Sequence, residues 1–225
     1  MQQPRLLSEK WLIMCHHPYK RRFLTDDISV NAGLLGAIIM DLLTEGAITA
    51  EGKKITGVGD LTTGIPEVHG EALRRMKKAK KVKSFRYWIS VFNSTKISYK
   101  RRMVTHLIER GDFSGEQHRF LFFRYRLTQL NNQTAHQQLI HRLRSIVFGD
   151  TTPIQEDIHL LSLVQASNVH RLLASSFKEK RQAKRQIKAL LANKDWANEV
   201  SMAITQELQA AVAASVAAVV AASSG

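Results

Sequence analysis

Cysteine is all but missing. Cys15 is the single one in 225 residues, which excludes a disulfide framework and favours a reducing, cytoplasmic compartment. Acid is missing from one long stretch, since none lies between Glu71 and Glu109. Long apolar runs are missing too. The C-terminal LQAAVAASVAAVVAASSG is mostly alanine and its strictly apolar part is too short to span a bilayer, so it reads as a packed terminal helix. The first residues carry Arg5, Glu9 and Lys10 without an uninterrupted apolar region, and no secretory signal is read there. G-x-S-x-G, P-loop and H-E-x-x-H signatures are absent. GVGDLTTG (57–64) lacks the lysine and the following helix that a phosphate loop needs. The chain is therefore not expected to be an enzyme or to need a cofactor. CHH at 15–17 offers three ligand types, but adjacent residues seldom reach one tetrahedral ion and no second pair lies at zinc spacing. It reads as a helix-end cysteine with surface histidines, and no metal is expected.

What is present is base. Lys and Arg number 33 against 19 acids, a formal +14, with a pI near 10.2. Such a field attracts polyanions, either nucleic acid or the anionic face of a membrane. In the acid-free stretch stand Arg74, Arg75, Lys77, Lys78, Lys80, Lys81, Lys83, Arg86, Lys96, Lys100, Arg101 and Arg102, interleaved with Phe85, Tyr87, Trp88 and Phe92. A charge run is usually a solvated helix face. The lack of compensating acid weakens that explanation here.

Helical periodicity dominates. SEKWLIMC opens with Ser8 as a candidate N-cap. ISVNAGLLGAIIMDLLTEG carries Val30, Leu34, Leu35, Ile38, Ile39, Leu42 and Leu43 on one broad apolar face and ends at Gly46. TPIQEDIHLLSLVQ suggests a capping box from Thr152 to Gln155 with Pro153 at the first helical position. NNQTAHQQLIHRLRSIVFGD places Leu139, Leu143, Ile146 and Val147 together and stops at Gly149. SSFKEKRQAKRQIKALLANKDW is a charged surface helix.

An internal repeat adds organisation. LLTEGAITAEGKKI (42–55) and LIERGDFSGEQHRF (107–120) align without a gap, matching Leu42 to Leu107, Gly46 to Gly111, Ile48 to Phe113 and Ile55 to Phe120. Each copy predicts a helix ended by a left-handed glycine, then a hairpin. RFLFFRYRL (119–127) becomes the return strand of the second hairpin, loaded with aromatics and arginines that the first copy lacks. The expected fold is mainly α: a single all-helical domain over 1–225 with two helix-plus-β-hairpin, winged-helix-like units at about 28–58 and 96–128, and a C-terminal helical part at 131–222.

The order of these motifs, from ISVNAGLLGAIIMDLLTEGAI through LIERGDFSGEQHRFLFF, LTQLNNQTAHQQLIHRLRSIV and HLLSLVQASNVHRLLA to the alanine-valine end, resembles the Golgi phosphoprotein 3 family over roughly 6–222. That resemblance implies a mostly helical fold with surface hairpins. It also implies peripheral binding to membranes containing phosphatidylinositol 4-phosphate, on the cytosolic face, with the head group in a basic pocket and a hydrophobic hairpin in the leaflet. The inserting hairpin corresponds to 112–128, with Phe120, Leu121, Phe122, Phe123, Arg124 and Tyr125 as the membrane-inserting residues. The pocket departs from the family pattern. The tryptophan position falls near Asp26, with Phe23 the nearest aromatic, the first arginine becomes Leu35, and the helical basic pair falls at Ile97 and Lys100. Arg21, Arg22, Phe23, Lys100, Arg101 and Arg102 are the candidate head-group residues, and these departures leave the head group open. The acidic, low-complexity tail of eukaryotic members is absent, as in a short, prokaryotic relative.

The expected function is peripheral binding of anionic phospholipid, phosphatidylinositol phosphate included. The alternative is a protein-interaction adaptor or oligomerising scaffold using the same hairpin, with client proteins or self-association as partners. A winged-helix-like nucleic-acid binder is the least favoured reading.

Overall fold

The computed structural model describes residues 6–61, 65–95, 98–120, 123–192, 209–218 and 221, with backbone alone for 117–120 and 123–126. The protein is mainly α. Its elements in chain order are α1 (Leu7–Cys15), α2 (Asp27–Thr44), β1 (Ile48–Glu51), β2 (Lys54–Val58), α3 (Glu67–Lys77), β3 (Lys83–Ser84), α4 (Phe85–Ser94), α5 (Tyr99–Glu109), β4 (Phe113–Phe120), β5 (Phe123–Leu130), α6 (Gln133–Phe148), α7 (Gln155–Ala166), a 3-10 turn (His170–Leu173) and α8 (Phe177–Ala192). A last helix, α9 (Gln209–Ala218), follows.

The centre is α2. Its apolar residues Val30, Leu34, Leu35, Ile38, Ile39 and Leu42 are wholly buried, and it touches α1, α4, α5, α7 and β1. Among the described residues it is the one helix long and apolar enough to cross a membrane, but most of it is covered by the rest of the protein. It is a core helix. Val212 of α9 reaches this helix at Gly36, where side-chain space is so short that a Cβ would stand 2.8 Å from its methyl.

Both predicted helix–glycine–hairpin junctions are present. Gly46 and Gly111 adopt φ of +69° and +82°, a backbone that side chains disfavour. Leu42 and Leu107, then Ile48 and Phe113, are buried in corresponding positions. Beyond that the copies diverge. The first hairpin turns between Glu51 and Lys54, whereas β4 continues until Phe120 pairs with Phe123 of β5. RFLFFRYRL is therefore not one return strand. Arg119 and Phe120 end the outgoing strand, and the return begins at Phe123. Ile55 and Phe120 are not equivalent, because a repeat aligned through its helix and glycine does not register a difference in strand length.

Three helix starts also differ from expectation. Ser8 lies buried inside α1, and Glu9 instead reaches back to accept the Leu6 N–H at 3.1 Å. Asp157, not Gln155, accepts the Ile154 N–H at 2.9 Å, so α7 begins three residues after Thr152. A carboxylate bound to the first amides also favours the helix dipole. A helix, α3, does follow the 57–64 segment, entered through Pro66.

Several histidines are buried in neutral form. His170, in the 3-10 turn, donates from Nε2 to Gln165 Oε1 at 2.7 Å. Burial, with Lys184 and Lys180 adding repulsion, lowers its pKa from 6.5 to about 4. A group depressed in the folded state stabilises the fold fully above 6.5 and loses that contribution as pH falls toward 4. The gap is worth about 3 kcal/mol. Stability measured by denaturant titration should therefore fall across pH 6.5 to 4, and His170→Leu should remove about one proton from that slope. An unchanged slope would contradict this assignment.

Candidate functional site

The segment His16–Asp26, between α1 and α2, is built rather than loose. The His17 N–H donates to the Arg22 carbonyl at 2.9 Å and the Leu24 N–H to the Cys15 carbonyl at 2.8 Å. The His17 ring accepts the Tyr19 and Lys20 N–H groups at 3.0 and 3.1 Å. His16, expected at the surface, is fully buried. Its Nδ1–H donates to the His17 carbonyl at 2.9 Å, while Nε2 lies 3.0 and 3.2 Å from the carbonyl and hydroxyl of Thr128 on β5. Burial lowers its pKa, so the neutral ring suits an arrangement in which the Thr128 hydroxyl donates to Nε2. The ring also meets Phe23 edge-on and Phe113 at tilted angle, each with centroids 5.0 Å apart. This residue ties the 16–26 segment to the base of the second hairpin. The sequence reading missed it because a histidine beside another histidine carries no burial signal.

Phe23 and Lys100, both expected among the head-group residues, come together. Lys100 Nζ lies 4.4 Å from the Phe23 ring centroid, within cation–π range, and 2.5 Å from Asp27 Oδ1. The lysine side chain is 19% exposed and the aspartate 84%. Arg21 reaches the hairpin, donating to both carboxylate oxygens of Glu116 at 2.6 and 3.0 Å. Arg22 is exposed in the same loop and makes no ion pair among the described residues. Thus one aromatic and its ammonium sit where the 16–26 segment, the first turn of α5 and the hairpin base meet.

Arg101 and Arg102 do not join them. They line a separate cleft of about 430 Å³ with Glu67, Ser98, His106 and Glu109, where Arg102 stands 3.2 Å from Glu67. The six head-group candidates therefore divide between two places. Asp27 and Glu116 are partners that the sequence reading missed; Glu116 lies 95 residues from Arg21, and no local spacing announces the pair.

The hairpin candidates fall where description is limited. Leu121 and Phe122 lie outside the described residues, and only the backbone is described for Phe120, Phe123, Arg124 and Tyr125. The register pairs Arg119 with Arg124, His118 with Tyr125 and Phe120 with Phe123. Directly paired positions lie on one side of a sheet and neighbours alternate. The base of the hairpin anchors in the core through Phe113 and Leu130, both 1% exposed.

Two other arrangements can be assessed chemically. Cys15 is buried, and burial pushes its thiol well above the ordinary range, which makes it unreactive. No cluster of three His, Cys, Asp or Glu suited to a metal occurs among the described residues. Ser8, His69 and Asp41 meet in the core, but Ser8 Oγ (3.4 Å) and Asp41 Oδ2 (3.0 Å) both face Nε2 of His69. A catalytic relay needs them on opposite ring nitrogens.

The sequence profile of Golgi phosphoprotein 3 matches residues 7–220. The chain belongs to the Golgi phosphoprotein 3 family. No curated protein matches it at a significant level. Against the pocket pattern of that family, the departures acquire structural reasons. Asp26 is the N-cap of α2 and accepts the Ser29 N–H at 2.8 Å. Partial burial raises its pKa, but hydrogen bonds from Ser29 and Thr25 outweigh this and hold it below the usual carboxylate value. Leu35 is wholly buried in α2. Ile97 lies outside the described residues. Lys100, which the resemblance implied as the one position to keep its charge, pairs with an aromatic from the loop between α1 and α2.

Proposed function

We propose that this Golgi phosphoprotein 3 family member is a peripheral membrane protein without a catalytic role, binding anionic phospholipid on a cytosolic membrane face. The two helix-plus-hairpin units, winged-helix-like in their order, serve here as lipid-contacting supports. The observation that carries the reading is the Lys100–Phe23 pair at the base of the second hairpin. It places a part-buried cation beside the segment whose tip carries FLFF in the sequence. A phosphate head group would take the place of the Asp27 carboxylate on Lys100. Exchanging such a pair costs little, because an ion pair with one exposed partner is worth about 0–1 kcal/mol. Phosphatidylinositol 4-phosphate is the candidate that family membership favours, and other anionic head groups share the chemistry.

The test is co-sedimentation with phosphatidylcholine liposomes, plain or containing phosphatidylserine or phosphatidylinositol 4-phosphate. Binding should require anionic lipid, and Lys100→Ala should weaken it about fivefold, the effect of one basic charge near such a surface. Equal binding to neutral and anionic liposomes would contradict the proposal.

A further inference from the structure

The twelve bases of the acid-free stretch are not alike once folded. Carboxylates from elsewhere in the chain reach five of them. Glu71 holds Arg74 and Arg75, Asp60 holds Lys77, Asp27 holds Lys100 and Glu67 holds Arg102. In the last turn of α3, Arg74, Arg75 and Lys77 also suit the negative end of the helix. These five have a structural explanation.

Lys78, Lys80, Lys81, Lys83 and Arg86 do not. They fall within the nine residues 78–86, and no carboxylate pairs with any of them among the described residues. Lys78, Lys80, Lys81 and Arg86 are exposed, and among them stand two exposed apolar side chains, Val82 (52%) and Tyr87 (43%). The segment is held in place. Lys83 pairs with Ile55, so β3 forms the edge of the first sheet. The Phe85 N–H donates to the Lys53 carbonyl at 3.1 Å, and Phe85, Trp88 and Ile89 are buried beneath. Lys83 Nζ lies 4.6 Å from the Tyr87 ring, so one ammonium already rests on the aromatic. The nearby acids are largely engaged: Asp60 and Glu71 are in the pairs above, and Glu51 stands opposite Lys54 in the first hairpin.

From this we infer that residues 78–87 form a second membrane contact, a lysine patch including the exposed Val82 and Tyr87 that docks on an anionic bilayer independently of the second hairpin. The inference rests on the peripheral-membrane reading above. Flexible ammonium groups around exposed apolar side chains match a disordered layer of lipid phosphates with an apolar interior below. No aromatic platform or set of arginine and amide side chains suited to reading bases accompanies them.

The test uses the full chain and liposomes of phosphatidylcholine with and without phosphatidylserine. The quadruple variant Lys78→Gln, Lys80→Gln, Lys81→Gln, Lys83→Gln should lower partitioning by about a hundredfold or more and flatten its salt dependence, each basic residue counting for about fivefold. Val82→Ser with Tyr87→Ser should lower it several-fold with the salt dependence kept. Both sets are surface changes, and circular dichroism will show whether the fold is retained. If the quadruple variant partitions like the wild type while hairpin variants do not, the patch is overturned and the peripheral-membrane reading stands. If the wild type ignores anionic liposomes altogether, both fall. Loss of duplex DNA binding in a gel shift, with liposome binding unchanged, would assign the patch to nucleic acid and also overturn the inference.

Discussion

Asp41→Ala is expected to destabilise the protein by about 3–5 kcal/mol, the range for removing one member of a buried charged cluster. Asp41 lies in the last turn of the core helix and is 4% exposed. Its two oxygens accept the Leu7 N–H at 2.7 Å, the Ser8 N–H at 3.1 Å and His69 Nε2 at 3.0 Å. The first amides of any helix have no partner within the helix. Here the opening turn of α1 is buried, so water cannot supply one. Alanine would orphan both amides, leave the ring nitrogen with the Ser8 hydroxyl at 3.4 Å as its remaining neighbour, and strip the positive end of α1 of its counter-charge. Asp41→Asn keeps one acceptor oxygen and should cost less. Urea denaturation with an unchanged m-value measures the difference. A loss below about 1 kcal/mol for alanine, the worth of one ordinary hydrogen bond, would show that the cluster does not anchor α1 on α2.

Gly33→Ala should be nearly as damaging, against the usual sign. Alanine in a helix interior is ordinarily favoured over glycine by about 1 kcal/mol. At Gly33, however, a Cβ would stand 2.1 and 2.4 Å from two ring atoms of Trp11 and 2.8 Å from Ser167 Oγ. Trp11 cannot yield easily. Its ring is wholly buried and its Nε1–H donates to the Val30 carbonyl of the same helix at 2.9 Å. The expected loss is about 3 kcal/mol, the upper end of ordinary overpacking. Gly70 in α3 is the control, since a Cβ there meets its nearest atom, of Leu61, at 3.7 Å, and Gly70→Ala should stabilise slightly. In a double-mutant cycle, Trp11→Leu should recover much of the Gly33→Ala loss if the contact is its cause. Independent, additive effects would contradict it.

The sequence made the helical frame legible because periodicity, glycine stops and the repeat report short-range rules. Gly46 and Gly111 appear as predicted, and α2 appears as the apolar centre. The length of β4 was not legible. A strand of alternating aromatics and arginines carries no turn residue to mark its end, so the change from β4, ending at Phe120, to β5, beginning at Phe123, was hidden inside RFLFFRYRL. The N-caps fall at Leu6 and Ile154, each two residues from the expected Ser8 and Thr152, because a carboxylate, here Glu9 or Asp157, can cap from within the first turn.

The site was legible in part. Phe23 and Lys100 are legible from the family resemblance, and they meet. Arg101 and Arg102 follow Lys100 directly, yet successive residues on a helix point about 100° apart, so they face another cleft. The paired acids Asp27, Glu67 and Glu116 come from distant segments, and only the fold shows which bases they neutralise. That distinction turns the uniform basic run into five satisfied residues and one unpaired group.

The central claim concerns membrane binding through the second hairpin, and co-sedimentation of Phe122→Ser with Phe123→Ser tests it most directly. Two aromatics at full burial in an apolar phase contribute about 1.5–3 kcal/mol each, so the double variant should bind phosphatidylserine-containing liposomes at least tenfold more weakly than the wild type, with its fold intact by circular dichroism. Undiminished binding by the double variant would contradict insertion of this hairpin.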